Sequence, residues 1–117
     1  ILDLTGVDNL GKPSVGPDAW VKVVADALKK YAGTQHIIGT QLIVIDSLEL
    51  GTAGDIIAGE ARMTSYLQAW HATPEDRVWL FLGTYHDKAR YMPGVGWQIY
   101  ETTPERVSGE DRAMGVE

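Results

Sequence analysis

Hydrophobic and polar positions divide this chain into one stretch of helical period and several of period two. Residues 1–4 are apolar apart from Asp3 and read as a short strand entering a loop, rich in Gly and Pro, that runs to Gly16. Pro17 and Asp18 then introduce a helix over 18–31, with Asp18 either its N-cap or a first-turn acid that suits the helix dipole. Trp20, Val23, Val24, Ala27, Leu28 and Tyr31 fall on one side of that helix. Lys22, Asp26, Lys29 and Lys30 mark the wet side, and Gly33 marks the stop. Such a stripe predicts a helix laid on a sheet.

From Thr34 the period becomes two. Ile37, Ile38, Leu42, Ile43, Val44 and Ile45 are strand formers dense enough to predict burial on both faces, and 46–55 reads as the following turn. Residues 59–71 alternate cleanly. Ala61, Met63, Ser65, Leu67, Ala69 and His71 share one face, a core or pocket wall, while Glu60, Arg62, Thr64, Tyr66, Gln68 and Trp70 share the other. A third strand over 77–91 puts Trp79, Phe81, Gly83, Tyr85 and Asp87 opposite Val78, Leu80, Leu82, Thr84 and His86. It is apolar on both sides at its start, so each side needs a cover; with one helix available, the second cover points to another subunit and a homodimer formed through the sheet. A last strand covers 97–103, Pro104 ends it, and 104–117 reads as a polar, frayed tail. The expected fold is α+β: a strongly curved antiparallel sheet of four long strands plus a short one, wrapped around one long helix.

Composition narrows the function classes. With 117 residues, 44% of them hydrophobic, the chain is long enough for one core in one domain. A net charge of −6 with scattered Lys and Arg argues against nucleic acid and acidic membranes. No apolar run long enough to span a bilayer and no signal-peptide pattern occurs, which makes a cytoplasmic location the expectation. Without cysteine there is neither a disulfide framework nor a thiolate nucleophile.

The side chains able to do acid–base chemistry sit mainly on the strands. His36 is either a general base or a strand-end histidine bonded to backbone; His71 either closes an inward row or lies in water beside a Pro loop. Tyr85 and Asp87 share a face, where Tyr85 either packs or donates to a substrate oxygen, and Asp87 either orients a histidine or pairs with Arg90. Tyr66 alternates outward unless a bulge reverses it. His36, His71 and His86 lack the spacing of a metal site, Gly94-Val95-Gly96 lacks the rest of a dinucleotide loop, and no Gly-x-Ser-x-Gly occurs, so neither metal nor cofactor is expected.

Four pieces in this order carry a resemblance: Thr34-Gln35-His36, Tyr66-Leu67-Gln68-Ala69-Trp70-His71, Gly83-Thr84-Tyr85-His86-Asp87, and Gly96-Trp97-Gln98-Ile99. Over residues 1–103 the chain resembles the nuclear transport factor 2-like superfamily, in its SnoaL-like and scytalone dehydratase-like branches. The resemblance implies a cone enclosing an apolar pocket, used by dehydratases, isomerases, cyclases and dehydrochlorinases and also by non-catalytic proteins. It further implies that His36 acts as general base and His71 as a second pocket histidine, and that one or two helices carrying a Tyr or Asp precede Ile1.

Together these readings lead to an expectation of cofactor-free acid–base chemistry, an elimination or isomerisation, on a small apolar or aromatic molecule bearing oxygen. His36 would be the base and His71 or Tyr85 would polarise the substrate. Trp20, Ile38, Met63, Leu67, Leu82 and Trp97 would form the wall, with Tyr66 and Asp87 as further binding candidates. The alternative is a non-catalytic ligand-binding or dimerisation module of the same fold.

Overall fold

The computed structural model describes residues 15–114, so the strand expected at 1–4 lies outside the described residues. Five elements follow in order: α1 (Pro17–Leu28), β1 (Gly33–Leu50), β2 (Ile56–Ala72), β3 (Arg77–Met92) and β4 (Gly96–Ala113). The four strands form one antiparallel sheet in the order β1-β2-β3-β4. Pro17 sits in the first helical turn, where its missing N–H costs nothing, and Asp18 is a first-turn acid rather than the cap; Gly16 holds the cap position with φ 90°. The helix closes at Leu28, and Tyr31 follows in the turn that delivers Ala32 to β2 through an N–H bond to the Ala72 carbonyl at 2.7 Å.

Several expectations change. The sheet is neither closed nor strongly curled. The molecule measures 63 × 27 × 22 Å, and an 18-residue strand extends about 59 Å, so the strands run nearly straight along the long axis. A 12-residue helix, about 18 Å long and without a buried residue, offers little for such a sheet to wrap around. Secondly, the turn after β1 is confined to residues 51–55. Asp46 is absorbed in a register shift between Ile45 and Ser47 and is tied to Arg62 by a forked ion pair, Nη2 to Oδ1 at 2.8 Å and Nε to Oδ2 at 2.9 Å. Thirdly, β4 does not end at Pro104. It continues to Ala113 because it is an edge strand, where a residue without an N–H is tolerated.

Side-chain alternation and the register assign the faces. One face carries His36 and Ile38 of β1, Leu67, Ala69 and His71 of β2, Trp79, Phe81, Tyr85 and Asp87 of β3, and Pro104 and Arg106 of β4. Its core is the buried cluster Leu67, Ala69 and Phe81, with Trp79 and Tyr85 packed against it. The other face carries most of the paired charge: Arg90 bonds Glu60 at 2.6 Å, Lys88 lies 3.2 Å from Glu101, and His86 bonds Glu105 at 2.7 Å. β1 is exposed along its whole length, Leu42 at 65% and Ile43 at 60%, which corrects the expectation that it is buried on both faces. Among the described residues no helix is long and apolar enough to cross a membrane.

Gly83 keeps the floor flat. A Cβ there would collide with the Phe81 ring and stand 2.7 Å from the Glu105 carbonyl oxygen. Gly83→Ala should therefore cost about 1–3 kcal/mol, read as a lower urea midpoint at unchanged slope. An unchanged midpoint would mean that both the Phe81 ring and the β4 backbone at Glu105 give way at little cost.

Candidate functional site

The apolar stripe of α1 faces the sheet without filling the space between them. Trp20, Val23, Val24, Ala27 and Leu28 form one wall of an open cavity of ≈ 930 Å³, and Leu67, Ala69, Trp79 and Phe81 form the other. The size suits a small organic ligand. Three candidates named from the sequence line it: His36, His71 and Tyr85; Trp20 and Leu67 do so as well.

His71 is the most constrained of these side chains. It ends its row on β2 opposite Trp79 and is only 3% exposed. Its ring packs against those of Tyr31 and Trp79, with centroids at 4.7 and 4.6 Å, and the His36 ring meets it edge-on at 5.4 Å. Nδ1 is 3.1 Å from the Trp79 carbonyl oxygen. A carbonyl can only accept, so Nδ1 carries the hydrogen and Nε2 keeps its lone pair. Burial draws the imidazole below its ordinary range, against the opposing pull of the Trp79 carbonyl; His36, the Ala69 carbonyl and Lys30 act more weakly. His71 is therefore held neutral, with a free basic nitrogen. His36 stands opposite Ala69 on β1 and is exposed.

Tyr85 belongs to the other end. It lies six residues along β3 from Trp79, about 20 Å of extended backbone, and leans on the Leu67–Ala69–Phe81 cluster. Burial, and next the nearby Asp87, raise its phenol above the ordinary range, so it remains a hydrogen-bond donor.

The remaining wall residues lie elsewhere. Ile38 and Met63 are on the cavity face but outside the lining, and Trp97 is at the far end, where its ring covers Gly59 and meets Tyr91 at 5.6 Å. Leu82 and Tyr66 are on the opposite face, Tyr66 at 62% exposure, as strict alternation requires when no bulge intervenes between them and their row. Asp87 shares the cavity face but is 6% exposed and does not line the space. It does not pair with Arg90, which alternates to the other face and bonds Glu60.

Two neighbours of His71 escape a sequence reading. Tyr31 looks like the last turn of a helix, and Trp79 looks like core. Arg106, which also lines the cavity, is hidden by taking Pro104 as a strand end. Among the described residues no group of three or more His, Asp or Glu side chains is arranged to hold a metal, and His86 lies on the opposite face from the other two histidines.

Asp87 places an acid in a poor environment. Its Oδ1 is buried without a partner, and burial raises its ionisation above the ordinary 3.8, against a hydrogen bond from Thr102 and the nearby His86. The native state thus holds this proton more tightly than the unfolded chain, and the stability it contributes at low pH is lost as pH rises through the native value. Asp87→Asn keeps an acceptor for Thr102 and cannot ionise. Thermal unfolding should show its Tm raised by roughly a few degrees at pH 7 and close to wild type near pH 3.5; equal Tm values at pH 7 would mean the charge is compensated.

Known proteins bear on the fold. A protein from Kribbella flavida, Kfla4162, superposes with a TM-score of 0.72 at 19% identity, covering 93% of this chain and 70% of its own. A candidate aromatic ring hydroxylase from Novosphingobium aromaticivorans gives 0.67 at 18% identity, over 94% of this chain and 68% of its own. A candidate scytalone dehydratase from the same organism gives 0.66 at 19%, over 92% and 69%. No curated protein matches the chain. At these identities the likeness concerns the fold alone. The SnoaL-like domain model, by contrast, matches residues 1–103, most of the sequence, and the chain belongs to the SnoaL-like domain family.

Proposed function

We propose that the cavity binds a small apolar or aromatic molecule bearing oxygen and that the chain catalyses proton transfer on it without a cofactor, as an elimination or isomerisation. The observation behind this reading is the state of His71: buried, neutral, with Nδ1–H given to the Trp79 carbonyl and Nε2 left as a base beside a second imidazole. We assign His71 the removal of a proton from carbon next to a carbonyl or leaving group. His36, exposed at the same edge, is then the residue that donates to the departing or developing oxygen. This division reverses the one expected from the family resemblance, because the tautomer is set on His71. Tyr85, a neutral phenol at the other end, contacts the ligand rather than the reacting carbon. Trp20, Tyr31, Trp79 and Phe81 supply flat apolar walls suited to a ring system. Structural neighbours described as a candidate scytalone dehydratase and a candidate aromatic ring hydroxylase favour the same substrate class.

A second reading, a dimerisation or ligand-binding module, is favoured by one specific observation. β1 exposes Ile43 and Ile45 on the cavity face and Leu42 and Val44 on the other, an apolar surface that a second copy of the chain would cover. The two readings are compatible, and sedimentation that finds only monomer at micromolar concentration would remove dimerisation and leave ligand binding.

The catalytic reading is tested with 2-tetralone in deuterated buffer, following exchange at its benzylic carbon by proton NMR. The wild-type protein should accelerate exchange over buffer, and His71→Gln should remove about 10²–10⁴-fold of that acceleration. Because the base works only when neutral and burial holds His71 below the ordinary 6.5, the acidic limb of the rate profile should fall below pH 6.5. His36→Ala should lower the rate with little change in Tm, since the side chain is exposed. Exchange no faster than buffer would leave only the non-catalytic reading.

A further inference from the structure

The cavity is polar at two edges and apolar between them. One edge is the histidine pair on β1 and β2. The opposite edge is formed by β4, and there the backbone departs from regular pairing. Leu82 is opposite Ser108 and Gly83 is opposite Arg106, so Val107 is an extra residue in β4. Counting back from Asp111 and Gly109 on the cavity face, an unbroken strand would put Val107 on that face and turn Arg106 away. The bulge reverses this: Val107 stands out at 66% exposure and Arg106 enters the cavity lining. Bulges that re-aim a side chain are common beside functional sites.

The Arg106 side chain runs along β4 toward Gly109. Its Nη2 lies 3.7 Å from where a Cβ on Gly109 would be, so the guanidinium lies along the side of a residue that has no side chain of its own. The register sets His36, Ala69, Phe81 and Gly109 in one row across the four strands. Three strand spacings, about 14 Å, thus separate the backbone carrying the histidine from the backbone beside the guanidinium. Ala69 and Phe81 floor the interval.

We infer that Arg106 is a specificity-determining residue that binds a carboxylate on an aromatic substrate, at the edge of the cavity opposite the histidines and remote from the reacting carbon. This rests on the cavity being the substrate site proposed above. A guanidinium presents five N–H donors in a planar fork, enough to keep the interaction Arg106 already makes within the protein and to take a carboxylate side-on. Two of the neighbouring acids, Asp111 and Glu75, line the cavity with it. Asp111 is held by Arg77 at 2.9 Å, Glu105 turns to the other face and bonds His86, Glu110 lies 3.2 Å from Arg112, and Glu75 is exposed in the β2–β3 connection.

The test is calorimetric titration with 2-naphthoate and its neutral isostere 2-naphthamide. Wild-type protein should prefer the carboxylate by about tenfold or more, and Arg106→Met, which keeps the apolar stem, should bring the two within about twofold while leaving amide affinity unchanged. Arg106→Lys should retain part of the preference, since it keeps the charge and loses the fork. Equal binding of both probes to the wild type, or a preference that survives Arg106→Met, overturns the assignment and leaves the cavity reading standing. Binding of neither probe overturns both.

Discussion

The apolar stripe of α1 extends over roughly 18 Å, whereas the strands beneath it extend more than 50 Å. Only one end of the sheet can be covered by that helix, and the covered end is where His71, Trp79 and Phe81 lie. The half-buried faces of Trp20, Val23, Val24, Ala27 and Leu28 look onto the sheet across a gap rather than interdigitating with it. A helix wide of its sheet leaves unfilled volume lined by apolar atoms, which is what a ligand pocket requires and a well-packed core excludes. The cavity follows from the shortfall in coverage.

Within that space the polar groups differ in how firmly they are held. His71 has a carbonyl on one nitrogen and the rings of Tyr31 and Trp79 packed against it, so its orientation and protonation are set by packing. His36 has the freedom of an exposed strand residue. Tyr85 stands far along β3 and is kept in its donor form by the same burial that anchors it to Leu67 and Phe81. Asp87 is buried without full satisfaction, an unfavourable arrangement for a carboxyl group.

Period and phase are legible in the residues themselves. The Trp20–Tyr31 stripe, the row from Ala61 to His71 and the Trp79–Asp87 row all declare which side chains travel together, because one buried face imposes its alternation on the sequence. Two features are not legible. The density of Ile37 to Ile45 implies burial only if a cover exists, and the described part of the chain supplies none. Pro104 reads as a terminator because prolines end strands in sheet interiors, yet position at the sheet edge removes that penalty, and strand order is not written in local sequence. Leu82 illustrates a third limit: its alternation is plain, but hydrophobicity alone does not say which of two apolar faces carries the ligand.

The two edges of the sheet differ in a way that bears on assembly. β4 contains a residue that cannot donate to a ladder, a bulge at Val107, and the charged run Glu105, Arg106, Glu110, Asp111 and Arg112. Such an edge resists the approach of another strand. β1 has no proline and carries apolar side chains on both faces, with a charge only at Asp46 and Glu49 besides the titratable His36. Among the described residues, then, the sheet is terminated on one side and extendable on the other. Any strand that adds to this protein, from its own sequence or from another chain, has one direction in which to grow.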